Sequence, residues 1–196
     1  MALRERSIES RNHMKIEIGD EVNIIGNEIT VVSFLGKGKG GYSYRARSRE
    51  GKDYTLKCFH SEAVPYYSFS SPKITLEIKA YSLLSRRSIE LPRLLYWDEE
   101  RDILLKEYIE GETMMERVKK KEDLSSFFPT MDSISKVSKE NGVNLDWFPT
   151  NFIEKDNNLY YIDYEVSPYS EEWSFRNWGI EYWRESKALR DYLSSH

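Results

Sequence analysis

A single cysteine, Cys58, stands in a chain of 196 residues. It excludes an intrachain disulfide and fits a reducing compartment, so the chain reads as cytoplasmic. The three histidines, His13, His60 and His196, show no metal-ligand spacing with that thiol, and no zinc site is expected. No apolar run is long enough to span a bilayer, which argues against a membrane role. The N-terminus carries charge without an apolar signal core, which argues against secretion, and residues 1–14 read as a flexible polar arm. A large excess of charge of one sign is also lacking. The formal net charge is -4, which argues against nucleic acid as a partner. Lys119-Lys120-Lys121 adjoins Glu122-Asp123 and reads as a solvated face. Repeats and low-complexity segments are absent. What remains is a soluble chain, 32% charged with a mean hydropathy of -0.67, long enough for one domain with a real core.

The N-terminal half reads as strands around a glycine loop. Ile29 to Leu35 is rich in β-branched and aromatic residues and predicts a strand. Gly36-Lys37-Gly38-Lys39-Gly40-Gly41 follows, with Gly36, Gly38 and Gly41 in G-x-G-x-x-G spacing. Glycines let backbone N–H groups approach a phosphate unobstructed. In a dinucleotide-binding unit such a loop opens a helix. Here Tyr42 to Ser48 predicts a strand instead, then a turn at Glu50-Gly51 and a third strand over Tyr54 to Phe59. An ordinary glycine-containing hairpin stays open as the alternative. A leading hairpin is expected around Gly19-Asp20, between Lys15–Ile18 and Val22–Ile25.

Side chains alternate across a strand, so Thr55 and Lys57 share one face, where an ammonium could meet phosphates. Most strand lysines only decorate solvent, and Lys57 alone decides nothing. Ser71-Pro72 predicts a helix start. Ile74, Ile78 and Tyr81 then recur at helical spacing, Leu83 and Leu84 extend the apolar side, and Glu77 stands on the edge of that stripe. Glu77 is either a solvated glutamate or the partner that fixes Lys57. Further on, Leu94–Trp97 and Ile103–Leu105 flank a polar turn and predict a hairpin. Thr113 to Lys121 and Leu124 to Lys139 suggest helices, the second interrupted near Pro129.

Asp146-Trp147-Phe148-Pro149-Thr150-Asn151, then Tyr161-Ile162-Asp163-Tyr164-Glu165, carries the most chemistry. One carboxylate could take or orient a hydroxyl proton, while an amide and a second carboxylate hold Mg²⁺. Asp and Asn are common in turns, so the pair has weight only beside the other parts. Phe152-Ile153 and Leu159 to Ile162 flank Glu154–Asn158 and predict a hairpin. That hairpin puts Asn151 and Asp163 at neighbouring strand ends.

The order of these parts resembles the protein-kinase-like superfamily over roughly residues 29–166. The matching pieces are Gly36-x-Gly38-x-x-Gly41, Ala46, Lys57, Glu77, the hinge-like Leu104 to Gly111, Asp146-x-x-Pro149-x-Asn151 and Ile162-Asp163-Tyr164-Glu165. The Asp-x-Glu form of the last motif resembles small, atypical bacterial-type members: aminoglycoside and choline phosphotransferases and atypical Ser/Thr kinases. The resemblance implies an α+β, bilobal protein-kinase-like fold, with a strand-rich N-lobe over 15–107 and a reduced, mainly helical C-lobe over 108–196. It implies that Lys57 holds the α- and β-phosphates of ATP and pairs with Glu77. Asp146 becomes the catalytic base, Asn151 and Asp163 ligate Mg²⁺, and backbone groups from Glu107 to Ile109 meet adenine. The chain departs from the family pattern at Asn144, where His is usual, at Ser43, where Val is common, and at Lys106, where an apolar gatekeeper is common. A buried lysine there needs a partner or a depressed pKa. No Ala-Pro-Glu signature follows, which argues against activation-loop regulation.

The reading that results is an ATP- and Mg²⁺-dependent phosphotransferase acting on an unidentified hydroxyl-bearing acceptor. A nucleotide-binding scaffold without catalysis is the rival. The aromatic tail, Trp173, Phe175, Trp178, Tyr182, Trp183 and Tyr192, is either a sugar- or cation-binding wall or core packing, and packing is the better reading because Trp178, Tyr182 and Trp183 lie at helical spacing.

Overall fold

The computed structural model describes residues 16–60 and 72–195. The arm over 1–14 and the cap expected at Ser71 lie outside the described residues. Two compact units form. One takes the described residues up to Thr75 together with Arg93–Tyr108; the other takes Leu76–Pro92 and the described residues from Ile109 on. The architecture is mixed α+β.

The first unit is a six-stranded sheet in the order β1-β2-β3-β4-β6-β5, with β1 Glu21–Ile24, β2 Asn27–Lys37, β3 Gly41–Ser48, β4 Asp53–Phe59, β5 Leu94–Asp98 and β6 Ile103–Glu107. Every neighbouring pair is antiparallel. The leading hairpin turns at Ile25-Gly26, not at Gly19-Asp20 as expected from the glycine. Gly19 and Asp20 instead bond to Val31 across the sheet. Alternation then sorts the side chains. Tyr44, Ala46, Leu56, Cys58, Ile103 and Leu105 lie on one face and form the apolar core with Val22, Ile24, Ile29 and Val31. Burial pushes the Cys58 thiol up to about 12, so it packs as a small apolar group.

Helix α1, Lys73–Leu84, spans the boundary between the units. Its buried line is Ile74, Glu77, Ala80 and Leu84; Ile74 and Leu84 are buried as expected, while Ile78, Tyr81 and Leu83 are only partly buried. Between the two ends of the line, burial falls one residue earlier than expected, on Glu77 and Ala80.

The second unit holds α2 Met114–Lys119, α3 Phe128–Glu140, β7 Val143–Leu145, β8 Phe152–Lys155, β9 Asn158–Tyr161, β10 Val166–Pro168 and α4 Lys187–Ser195. Thr113 caps α2 with a reciprocal Thr113–Glu116 box. Pro129 does not interrupt a helix; it sits in the first turn of α3, where its missing N–H costs nothing. β7 pairs with β10 and β8 with β9, both antiparallel. The β7–β10 ladder was not foreseen, because three-residue strands carry too little pattern. Trp147, Phe152, Tyr161, Phe175 and Trp183 are buried together with Met114, Leu124 and Met131. The tail therefore packs through Phe175 and Trp183. Its predicted helix is a 3-10 turn over Gly179–Tyr182, where a Cβ on Gly179 would fall 2.6 Å from the Cβ of Trp147.

Candidate functional site

In the first unit, register decides which side chains share the face opposite the apolar core. Ser43 pairs with Lys57 and Lys57 with Leu104; Arg45 pairs with Thr55 and Thr55 with Lys106. That second face carries Ser43, Arg45, Thr55, Lys57, Leu104 and Lys106. Lys57 is 7% exposed and Lys106 is 5% exposed. Lys57 Nζ stands 5.5 Å from the centre of the Phe59 ring. Arg45 stacks on Tyr108 at 4.8 Å, and it also pairs with Asp53, which Arg47 grips at 2.8 Å. Hydrogen bonds from Arg47 and Arg45 hold the Asp53 carboxyl down at about 2.

The glycine segment is a tight hairpin. Gly36 and Lys37 are still in the ladder, paired with Ser43 and Tyr42, and Gly38 N–H donates to Gly41 C=O at 2.9 Å. Gly41 is required by packing: a Cβ there would lie 2.4 Å from the Cys58 carbonyl oxygen. Gly36 and Gly38 differ. Neither has a positive φ, and a Cβ on Gly36 would meet nothing within 4 Å, on Gly38 only the Gly41 oxygen at 3.9 Å. Neither backbone conformation nor packing demands glycine at those two positions. Lys73, which sequence reasoning missed, donates to the carbonyls of Lys39 at 3.0 Å and His60 at 2.6 Å and so ties down the loop tip. A lysine at a helix start gives no signal of such a reach. At the end of β6, Glu107 N–H donates to the Arg93 carbonyl at 2.9 Å. Its amide is thus used inside the fold.

In the second unit, Glu77 is 8% exposed on the buried line of α1. A carboxylate in that place is tolerated only with polar partners. Asp146 follows β7. Its Oδ1 accepts the Phe148 N–H at 3.2 Å, which fixes the carboxylate on its own turn. Trp147 anchors the turn in the core, and its carbonyl accepts the Trp183 indole N–H at 2.8 Å. A 3-10 turn over Pro149–Asn151 brings Asn151 back, and its Nδ2 donates to the Asp146 carbonyl at 3.2 Å. Ile162 N–H donates to the Asn151 carbonyl at 2.8 Å, one rung beyond the Phe152–Tyr161 pair. Asn151 and Asp163 therefore sit at adjoining ends of the β8–β9 hairpin.

Tyr161 was not singled out from sequence. It is fully buried, and its phenol is raised well above its ordinary value, by burial first and then by the charges of Asp163, Asp146 and Glu165. The same hydroxyl meets the backbone of two of these residues, the Asp146 N–H and the Glu165 carbonyl. Asn144, in the place where the resemblance calls for His, is buried on β7, and its Nδ2 donates to the Ser170 carbonyl at 2.8 Å. It secures the chain that follows β10. Tyr164 donates to the Pro92 carbonyl and packs on Tyr81 of α1 at 5.0 Å.

The donor set suits a hard cation: an amide oxygen and a carboxylate, the kind of site in which Mg²⁺ keeps several waters. Among the described residues no group of three or more His, Cys, Asp or Glu side chains is arranged to hold a metal. Among them, too, no helix is long and apolar enough to cross a membrane.

No family model matches the chain, and no curated protein matches it. Among solved structures it is similar to the BubR1 kinase domain, with a TM-score of 0.52 and 17% identity over 81% of this chain and 54% of that one. The chain thus spans about half the length of that structure. At this identity the likeness is one of fold: the chain has a kinase-like fold, and its strand-rich sheet is compatible with a kinase-like N-lobe.

Proposed function

We propose that this protein is an ATP- and Mg²⁺-dependent phosphotransferase that moves the γ-phosphoryl group to a hydroxyl acceptor. The observation that carries the proposal is that hydrogen bonds bring the segments bearing Asp146, Asn151 and Asp163 together at the ends of β7, β8 and β9. In this reading the Asp146 carboxylate accepts the acceptor's hydroxyl proton as the new O–P bond forms and the bond to ADP breaks. Asn151 and Asp163 hold Mg²⁺, which when bound neutralises phosphate charge. Lys57 takes the α- and β-phosphates, and Glu77 serves it as the resemblance implies. Gly36 and Gly38 leave the loop backbone bare for phosphate oxygens, which accounts for glycines that the fold does not require. The Glu107 N–H is engaged, so adenine would be read by the Glu107 carbonyl and the Ile109 amide. One kinase-like domain with lobes over 15–107 and 108–196 belongs to the same proposal.

A second reading, nucleotide binding without transfer, is favoured by one observation. Ser43, Thr55 and Lys106 make the sheet face polar where the resemblance expects an apolar roof.

Thermal unfolding with and without ATP and Mg²⁺ tests both, since a ligand that prefers the folded state adds RT ln(1 + [L]/Kd) to its stability. A rise in Tm with ADP production across an acceptor panel is expected. A rise without any ADP would favour the second reading, and no rise would sink both.

A further inference from the structure

The β7–β10 ladder stops one rung short of the site. Its register pairs Val143 with Pro168, Asn144 with Ser167 and Leu145 with Val166. Beyond the far end, Tyr169 N–H donates to the Gly142 carbonyl at 2.9 Å. Antiparallel pairs alternate between bonded and non-bonded. Counting from Gly142–Tyr169, the next bonded pairs are Asn144–Ser167 and then Asp146–Glu165. In the regular continuation Asp146 N–H would donate directly to the Glu165 carbonyl. Instead, Asp146 N–H donates to the Tyr161 hydroxyl at 3.2 Å, and that hydroxyl donates to the Glu165 carbonyl at 2.7 Å. A buried phenol oxygen from the neighbouring hairpin occupies the rung.

We infer that Tyr161 is a positioning residue whose hydroxyl, inserted as a spacer in the β7–β10 ladder, sets the separation between the Asp146 loop and the Asp163–Glu165 loop. The inference rests on the phosphotransferase reading. Without the hydroxyl, the two backbones either close into a direct bond or leave a buried donor and acceptor unsatisfied. The first shifts Asp146 relative to Asp163 and the second leaves the Asp146 turn without that restraint; a displacement of about 1 Å at such a site can cost about a hundredfold in rate. Tyr161 touches neither substrate nor cation in this scheme; it acts through two backbones.

The test replaces Tyr161 by Phe and, through site-specific incorporation, by 4-aminophenylalanine, whose amine can donate and accept. Three quantities are read: kcat, nucleotide affinity, and Mn²⁺ affinity in the presence of ADP by electron paramagnetic resonance. The Phe variant should lose about a hundredfold in kcat and about tenfold in Mn²⁺ affinity, as outer-shell changes do. Metal-free nucleotide affinity should hold, and the amine should restore most of both losses. Ile134→Val, a core change in α3 that removes no polar group, serves as the stability control and should leave kcat and Mn²⁺ affinity unaltered. A Phe variant equal to wild type, losses that the amine does not restore, or equal losses in Ile134→Val at matched Tm would overturn the inference alone. Wild type that binds no Mn²⁺ with ADP would overturn the phosphotransferase reading and the inference with it. If the Phe variant does not fold, amide exchange at Asp146 in the wild type decides. Protection that rises with ADP and Mg²⁺ supports the spacer; fast exchange that ignores them overturns it.

Discussion

The two units place their candidate residues by different physics. In the first, Ser43, Thr55, Lys57 and Lys106 share a face because β3, β4 and β6 pair in unbroken antiparallel register. Once the strands exist, period-two alternation leaves no choice, and a one-residue slip of β4 would move both Thr55 and Lys57 to the core face. In the second, Asp146, Asn151 and Asp163 lie on turns and strand ends. They are held by backbone hydrogen bonds, by the anchored Trp147 and by one buried phenol. A sheet gives positional accuracy by repetition. A loop site must obtain it from specific, buried, satisfied polar contacts, and each of those is a single point of failure.

Catalysis is where the two units should be broken first. Lys57→Ala in the sheet and Asp163→Ala at the hairpin end should each lower kcat by about a thousandfold, as loss of a preorganised charge does. Far-ultraviolet circular dichroism should remain as in wild type. Asp146→Asn should slow transfer by about a hundredfold or more while the Tm shift with ATP persists. Wild-type Mg²⁺-dependent turnover in Asp163→Ala would remove it from the metal role, and unchanged transfer in Asp146→Asn would remove it from the base role.

Packing sharpens the contrast at a smaller scale. Leu56 fills the aliphatic core of the first unit and Trp183 the aromatic core of the second, where it also bonds to the Trp147 carbonyl. Leu56→Ala should cost about 2–5 kcal/mol and Trp183→Ala about 3–5 kcal/mol in denaturant unfolding. Trp183→Ala should also lower kcat, because it frees the turn that carries Asp146; Leu56→Ala should leave kcat per folded molecule close to wild type. Equal kinetic effects would erase the distinction between the units.

The smallest effect is electrostatic and belongs to the sheet. Asp53 is depressed in the folded state, to about 2, by Arg47 and Arg45. Such a carboxylate stabilises the fold above its unfolded value, near 3.8, and loses that contribution as pH falls toward 2. Tm should therefore drop between about pH 4 and pH 2, and Asp53→Asn should flatten that drop. An identical profile in the variant would discount the pair.

Much of the first unit was legible in the chain because its signals are local. Strand propensity, the glycine hairpin and the pairing of Thr55 with Lys57 on one face need only alternation. The misplaced stripe on α1 shows the limit. Ile78 outranks Ala80 in hydrophobicity, yet the buried line runs through Ala80 and Glu77, so local hydrophobicity did not fix which face turned inward. In the second unit the β8–β9 hairpin was readable from its polar turn, but Tyr161 looked like one more aromatic in an apolar run.

Sequence alone determined which residue types are present, in what order and with what short-range period; that was enough to bring a lysine, two aspartates and an asparagine forward as one chemical set. Tertiary structure decided the burial of Glu77 and Lys106, the tether from Lys73 to the glycine hairpin and the phenol in the β7–β10 ladder. The tether and the Asp146–Tyr161 contact depend on hydrogen bonds between residues far apart in the chain, and no local preference encodes which distant group a side chain will meet.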